Sequence, residues 1–333
     1  MDDNQQEPKY IIVVGASAGG LHSILELIAQ IPEKIDAAVF IVMHFRKLTS
    51  DSHILQRIQN NTSLTCTLAE NEEIIRKGHL YMGMPDKHLL IKPGQIILGQ
   101  GPQENLWRPS IDVLFRSAAA AYDSRTIGII LSGLMYDGTS GMVAIKRCGG
   151  TCIVQDPAEA EYPDMIRSVL QNVEVDYCVP LQTIGAILEE KTKNGFNKHK
   201  VPDDVKAEAI LAERNAIGIE NVAEIGERSV FICPDCGGGL WEMVNDNVVR
   251  YRCHTGHVYN QNELSIRQSD ALENTLWTAL RMMEERKNLL DKMSKEENSK
   301  GWKTTAENKE QRARDLRVHI ERLKEILYEA KRE

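Results

Sequence analysis

No stretch of this chain approaches eighteen uninterrupted apolar residues, so the sequence offers no membrane-spanning helix. The N-terminus, MDDNQQEPKY, is polar and acidic and lacks the apolar core of a secretory signal. A cytoplasmic location is therefore expected. An excess of basic charge is missing too: the formal net charge is −8, which argues against a surface built mainly to grip nucleic acid. Cysteines are few, seven in 333 residues, with four scattered (Cys66, Cys148, Cys152, Cys178) and three grouped (Cys233, Cys236, Cys253). That usage fits a secreted disulfide framework poorly and favours reduced thiols and a metal site. Neither an internal repeat nor a low-complexity tract is present. What remains has globular proportions, 42% apolar and 26% charged, with enough length for one large domain and one or two smaller pieces.

From Tyr10 to about Leu188, short β-branched apolar runs alternate with helical stretches. This pattern predicts a doubly wound α/β fold with a mostly parallel sheet and helices on both faces. The runs are YIIVVGA, AAVFIVMHF, GHLYMGMP with HLLIKPGQIILG, TIGIILSG, GGTCIVQD and VDYCVP. Between them LHSILELIAQI, SDSHILQRIQN, SIDVLFRSAAAAY, TSGMVAIKRCG and MIRSVLQN read as helices. Residues 189–229 turn charged and read as a linker with a helix from Asp203 to Asn215. Residues 230–261 carry the grouped cysteines on two short β-like segments. Over 262–333, Leu272, Leu276, Leu280 and Met283, then Leu316, Ile320, Leu323 and Leu327, recur at helical spacing on either side of SKEENSKGWKT, predicting a helical hairpin.

Gly15, Ala16, Ser17, Ala18 and Gly19 match the G-x-S-x-G nucleophile elbow and sit between a buried strand and an amphipathic helix, as that motif requires. At such a turn the serine projects from the carboxyl edge of the sheet, and backbone N–H groups at the helix start can hold an oxyanion. The competing reading is a phosphate loop. However, the segment has neither the G-x-G-x-x-G register nor the Lys-Ser/Thr of a Walker loop. His44 ends the next run, on the edge where open α/β sheets build their sites, and an imidazole there can take the serine proton. Asp137 follows TIGIILSG in a glycine-rich turn and can reach the same edge to orient the histidine, although alone it would read as a helix N-cap. The order Ser, His, Asp differs from the Ser, Asp, His of α/β-hydrolases and from the chymotrypsin and subtilisin orders.

GASAGG, VMHF, GMPDKHLLI, RPSIDVLFRSAA, LSGLMYDGTSGM and QDPAEAEYPDM resemble, in order, the motifs of the chemotaxis protein-glutamate methylesterase (CheB-type) catalytic domain, over residues 8–188. The resemblance implies hydrolysis of glutamyl γ-methyl esters on chemoreceptor-like proteins, and often glutamine deamidation, with no cofactor for catalysis. It makes Ser17 the nucleophile, His44 the base and Asp137 its orienting partner, with the backbone N–H groups of Ala18 and Leu134 as oxyanion donors. The family commonly has methionine at the position of Leu134 and asparagine at that of Tyr136. His79 and His88, flanking the GMPDKH turn, read as structural or rim residues. With nine residues ahead of the first strand, no receiver domain like that of the well-known chemotaxis enzyme is expected there. Two other readings stay open: an esterase acting on an unrelated protein, and a non-catalytic interaction module of the same fold.

Cys233 and Cys236 in CPDC, then Cys253 and His257 in CHTGH, have zinc-ribbon spacing. Four protein ligands close a tetrahedron, which predicts a structural zinc. His254 is the competing fourth ligand, and a redox C-x-x-C is the competing chemistry. The helical tail reads as a hairpin packed on itself, with self-association or partner docking as its sharper alternative.

Overall fold

A computed structural model of the chain describes residues 7–44, 51–213, 223, 225–245 and 248–329. The chain divides into two compact units, Met1–Glu263 and Leu264–Glu333.

The first unit is organised by a seven-stranded sheet of β1 (Tyr10–Ala16), β2 (Ala37–Met43), β3 (Thr65–Leu68), β4 (His79–Met82), β7 (Thr126–Ile130), β8 (Thr151–Gln155) and β9 (Tyr177–Val179). Their spatial order is β3-β4-β2-β1-β7-β8-β9, and every pairing is parallel. Alternate residues of β1 serve two cores, because side chains along a strand point to opposite faces. Ile11 and Val13 pack with Leu114 and Phe115 of α3 (Ile111–Tyr122), Met142 and Ile145 of α4 (Thr139–Arg147) and Val169 of α5 (Asp164–Asn172). Tyr10, Ile12 and Val14 pack with Ile24 and Leu27 of α1 (Gly20–Ile28), Ile54 and Ile58 of α2 (Asp51–Gln59) and Ile184 and Leu188 of α6 (Leu181–Lys193). A strand buried on both faces must be apolar throughout, which is why YIIVVGA shows no polar alternation.

The doubly wound fold is as the sequence predicts, with two differences. HLLIKPGQIILG does not join the main sheet: β5 (His88–Lys92) and β6 (Gln95–Gly99) pair antiparallel as a separate hairpin around Pro93-Gly94. The edge strand β3 has no signature in the sequence, because TCTL is only partly buried and carries no continuous apolar run.

Within the segment read as a linker, α7 (Asp203–Glu213) buries Val205 and Leu211, and Arg147 forms a two-pronged pair with Asp204 at 2.6 and 3.0 Å. The helix expected to Asn215 can be followed only to Glu213, because Arg214 and Asn215 lie outside the described residues. Strands β10 (Glu227–Ile232), β11 (Gly239–Asn245), β12 (Val248–Cys253) and β13 (Val258–Asn260) then form an antiparallel four-stranded meander.

Helices α8 (Gln261–Ser299) and α9 (Lys303–Glu329) follow. In the second unit Leu280, Ile320 and Leu327 form a buried seam with Leu276, Met283 and Leu323. These are six of the eight positions that the helical spacing marks. Leu272 instead stands exposed.

Candidate active site

Strand order positions the site. The chain leaves β1 toward β2 on one side, while β7 lies on the other, so the topological switch point falls at the carboxyl end of β1. Crevices form at such points, and Ser17 follows β1 directly. The elbow turns tightly because Gly19 caps α1 at φ +71°, where a Cβ would press on Glu161 and Ser132. Ser17 N–H donates to Ser132 O at 3.0 Å, and Ser132 Oγ donates to Ala18 O at 2.9 Å. The turn after β7 is thereby tied to the turn after β1. At Gly133 a Cβ would stand 3.0 Å from Ser17 Cβ, so the backbone that leads into Leu134 passes directly against the serine.

The structure brings the three candidate residues together. His44 Nδ1 lies 3.3 Å from Ser17 Oγ, and His44 Nε2 lies 3.0 Å from Asp137 Oδ2. With Nε2–H donated to the carboxylate, Nδ1 is left with its lone pair toward the serine, free to accept the hydroxyl proton. The imidazole is almost wholly buried, and the indole of Trp107 is stacked flat upon it.

Asp137 does not cap its own helix. It caps α3 instead: Ile111 N–H donates to Oδ2 at 2.7 Å and Asp112 N–H to Oδ1 at 3.2 Å, while Asn105 Nδ2 and Ser110 Oγ donate to Oδ1 at 2.8 and 2.9 Å. Burial on its own would push this carboxyl up. The hydrogen bond and charge of His44, with the Asn105 and Ile111 donors, outweigh it and hold Asp137 below the ordinary carboxylate range. Its neighbour Asp112 goes the other way, pushed up to about 7 by burial and by the Asp137 charge. Asn105 Nδ2 also reaches Asp112 Oδ2 at 2.7 Å, so one carboxamide ties the two acids.

His88 supports this cluster from behind. Its Nδ1 accepts from Ser110 N–H at 3.3 Å and its Nε2 donates to Pro102 O at 2.8 Å. Burial pushes its pKa down, keeping the ring neutral. His79, at the opposite end of its strand, hydrogen-bonds Lys77 O. Residue-type reasoning missed Asn105, Trp107 and Ser110. All three lie in or just before RPSIDVLF, and the signal that could have found them is a polar-aromatic turn directly preceding the helix that receives Asp137.

Away from the triad in the first unit, Cys233, Cys236, Cys253 and His257 converge, their ligand atoms all within 4.8 Å of one another. Cys236 and Cys253 sulfurs are 3.7 Å apart, and His257 Nδ1 stands 3.7 Å from Cys233 Sγ and 3.4 Å from Cys253 Sγ. A tetrahedral zinc with bonds of about 2.3 Å to sulfur and about 2.0 Å to nitrogen requires edges of about 3.5–3.8 Å. The donor set and its spacing fit such an ion. The sheet is what gathers these residues: Cys233 follows β10, and Cys253 and His257 bracket the turn between β12 and β13. His254 is turned toward Gly238, where a Cβ would lie 2.4 Å from its ring.

The CheB methylesterase profile matches residues 12–188, just over half of the chain. The chain belongs to the CheB methylesterase family. A Leptospira interrogans protein assigned as a putative protein-glutamate methylesterase/protein-glutamine glutaminase is 34% identical over 188 residues, 56% of this chain and 97% of that protein. The protein-glutamate methylesterase/protein-glutamine glutaminase of Thermotoga maritima is 32% identical over 178 residues, covering 52% of each chain. Among solved structures, the CheB methylesterase catalytic domain of Thermotoga maritima superposes with a TM-score of 0.53 at 30% identity, covering 56% of this chain and 100% of that one. The Cys/His sheet and the hairpin lie beyond the segment that the CheB profile matches.

Proposed function

We propose that this protein is a protein-glutamate methylesterase that hydrolyses glutamyl γ-methyl esters on chemoreceptor-like proteins, with Ser17, His44 and Asp137 as its catalytic triad. The observation that carries this reading is His44 bridging Ser17 and Asp137 at 3.3 and 3.0 Å in a chain of the CheB methylesterase family. Ser17 Oγ attacks the ester carbonyl as its proton passes to His44 Nδ1, and the N–H groups of Ala18 and Leu134 receive the oxyanion. Collapse expels methoxide, which takes the proton from His44 and leaves as methanol. Water, deprotonated by the same nitrogen, then cleaves the acyl-enzyme to a glutamate side chain and free Ser17. The same attack on a glutamine amide releases ammonia, which is the deamidase activity.

Methanol release from a methylated chemoreceptor, measured with the wild-type chain and Ser17→Ala, tests this reading. Release by the wild type alone supports it. Release by neither protein on any methylated receptor, with Ser17 still reactive toward an organophosphate, moves the activity to an unrelated protein ester; an inert Ser17 leaves a non-catalytic module.

The Cys/His cluster is read as a structural zinc site, supported by edges of tetrahedral length and by four protein ligands that fill the tetrahedron. One zinc per chain, lost in Cys253→Ser, is the expected elemental analysis. No described helix is long and apolar enough to cross a membrane. Exposed Leu272, Met282, Leu289, Val318 and Ile326 on the helical unit support self-association there, read by sedimentation.

A further inference from the structure

One turn joins the triad to the Cys/His sheet. Glu104–Trp107 is closed by reciprocal backbone bonds, Glu104 N–H to Trp107 O at 3.2 Å and Trp107 N–H to Glu104 O at 3.0 Å. Its two central residues, Asn105 and Leu106, both have positive φ, 52° and 68°. Asparagine tolerates that conformation, but leucine does not adopt it readily, so the turn needs to be held from outside.

It is held on both sides. Toward the triad, the Asn105 carboxamide donates to Asp137 and Asp112, and Trp107 covers His44. Toward the Cys/His sheet, Asn105 N–H donates to Val258 O at 3.0 Å, and Glu104 accepts from Arg252 Nη1 at 3.2 Å. Glu104 also pairs with Arg116 of α3, and both arginines pull its buried carboxyl below the ordinary range against the effect of burial. The positions of the two outer grips matter most. Arg252 directly precedes Cys253, and Val258 directly follows His257. Each point at which the sheet holds the turn is therefore the chain neighbour of a cluster ligand.

We propose that Asn105 and Trp107 are positioning residues for Asp137 and His44, and that metal bound at Cys233, Cys236, Cys253 and His257 holds them in place, so that loading of the cluster sets the reactivity of Ser17. This rests on the triad and metal readings above. A loaded cluster fixes the ends of β12 and β13, and with them the Arg252 and Val258 grips. A stripped cluster frees those ends, the Glu104–Trp107 turn relaxes from its left-handed form, and His44 and Asp137 lose their lateral supports. Linkage makes the effect reciprocal, so loosening the turn also weakens the hold on metal.

The test uses the full-length chain and a fluorophosphonate that phosphonylates activated serines, and so reads Ser17 whatever its natural ester is. Failure of the methylesterase reading then appears as missing methanol release with labelling intact, separate from failure of the coupling. Stripping the metal with a chelator is expected to lower kinact by up to about 100-fold with KI within about twofold, the signature of misplaced groups rather than lost binding. Hydrogen exchange at residues 104–107 rises in the same step, and added zinc restores both.

In Asn105→Ala, kinact starts low, and stripping lowers it by less than about twofold further, since one link cannot be broken twice. Equal kinact for loaded and stripped wild type, or a full multiplicative loss in Asn105→Ala, overturns the proposal. Where stripping abolishes the circular dichroism of the chain, Arg252→Met decides, because it leaves all four ligands in place. A zinc-loaded Arg252→Met with kinact reduced about tenfold at unchanged KI supports the coupling, and wild-type kinact in that variant overturns it.

Discussion

The indole of Trp107 lies flat on the imidazole of His44, with ring centroids 4.2 Å apart and planes 4° from parallel. One face of the base is thus covered, and rotation of the ring out of line with Ser17 would drive it into the indole. Truncation in Trp107→Ala removes that wall, and kcat for methanol release is expected to fall about tenfold or more, since small misalignments of a reacting pair are costly. Trp107→Phe keeps an aromatic face and should retain most of the rate. Steady-state kinetics of both variants against one methylated receptor check the order; an alanine variant as fast as phenylalanine would remove the orienting role.

Asp137 receives only donors. Its Oδ1 takes Asn105, Ser110 and the Asp112 and Gly138 N–H groups, and its Oδ2 takes Ile111 N–H and His44. An amide at this position must turn its NH2 against one of these groups, whichever way it flips. Asp137→Asn is therefore expected to drop kcat by about 10⁴, as the wrong histidine tautomer faces Ser17. It should also lower the denaturation midpoint, because a buried donor then faces another donor. Rapid-quench assays with parallel urea melts measure both effects.

The β1 elbow, the order of the triad and the grouping of the cysteines were legible in the sequence because each is local. A buried strand followed by G-x-S-x-G marks where Ser17 stands, and C-x-x-C with CHTGH marks three thiols and leaves two histidines, of which the fold turns His257 toward the sulfurs. What the sequence hid is non-local. Arg250 and Arg252 on β12 look like solvent-facing charges until Glu208 and Glu104 arrive from 42 and 148 residues away to bury them. The same blindness made α7 look like part of a linker. Asn105 was invisible for a different reason: a single asparagine in a loop carries no periodicity, and only the left-handed turn aims its carboxamide at Asp137.

Arg250 and Glu208 form a two-pronged pair at 2.7 and 2.8 Å, each side chain 2% exposed, between the Cys/His sheet and α7. Arg116 of α3 reaches Glu208 as well, at 3.4 Å. Removing one member of a buried pair leaves its counterpart short of charge compensation, so Arg250→Ala should cost about 3–5 kcal/mol. Replacing the pair together, Arg250→Met with Glu208→Leu, should cost much less, because neither desolvated charge remains. Guanidinium unfolding of both variants measures the difference, and a single variant no worse than the double one would deny the pair its role in docking the sheet.

Asn260 and Glu263 form a reciprocal cap at the start of α8. Asn260 N–H donates to Glu263 Oε2 at 3.1 Å and Glu263 N–H donates to Asn260 Oδ1 at 2.9 Å. Glu263 is fully buried, and its Oε1 has no hydrogen-bond partner among the described residues. Burial pushes its carboxyl from the usual 4.5 up to about 8, with the charges of Asp137 and Asp112 adding to the effect. The folded chain therefore holds a proton that the unfolded chain has already released, so wild-type stability falls as pH rises from about 4.5 toward 8, each unit of that interval being worth up to about 1.4 kcal/mol. Glu263→Gln keeps the cap through its amide oxygen and has no proton to lose. Its stability relative to wild type should rise across that window and level off above it, and urea titrations at four or five pH values measure the difference. A constant difference between the two proteins would mean that Glu263 ionises inside the fold with little cost.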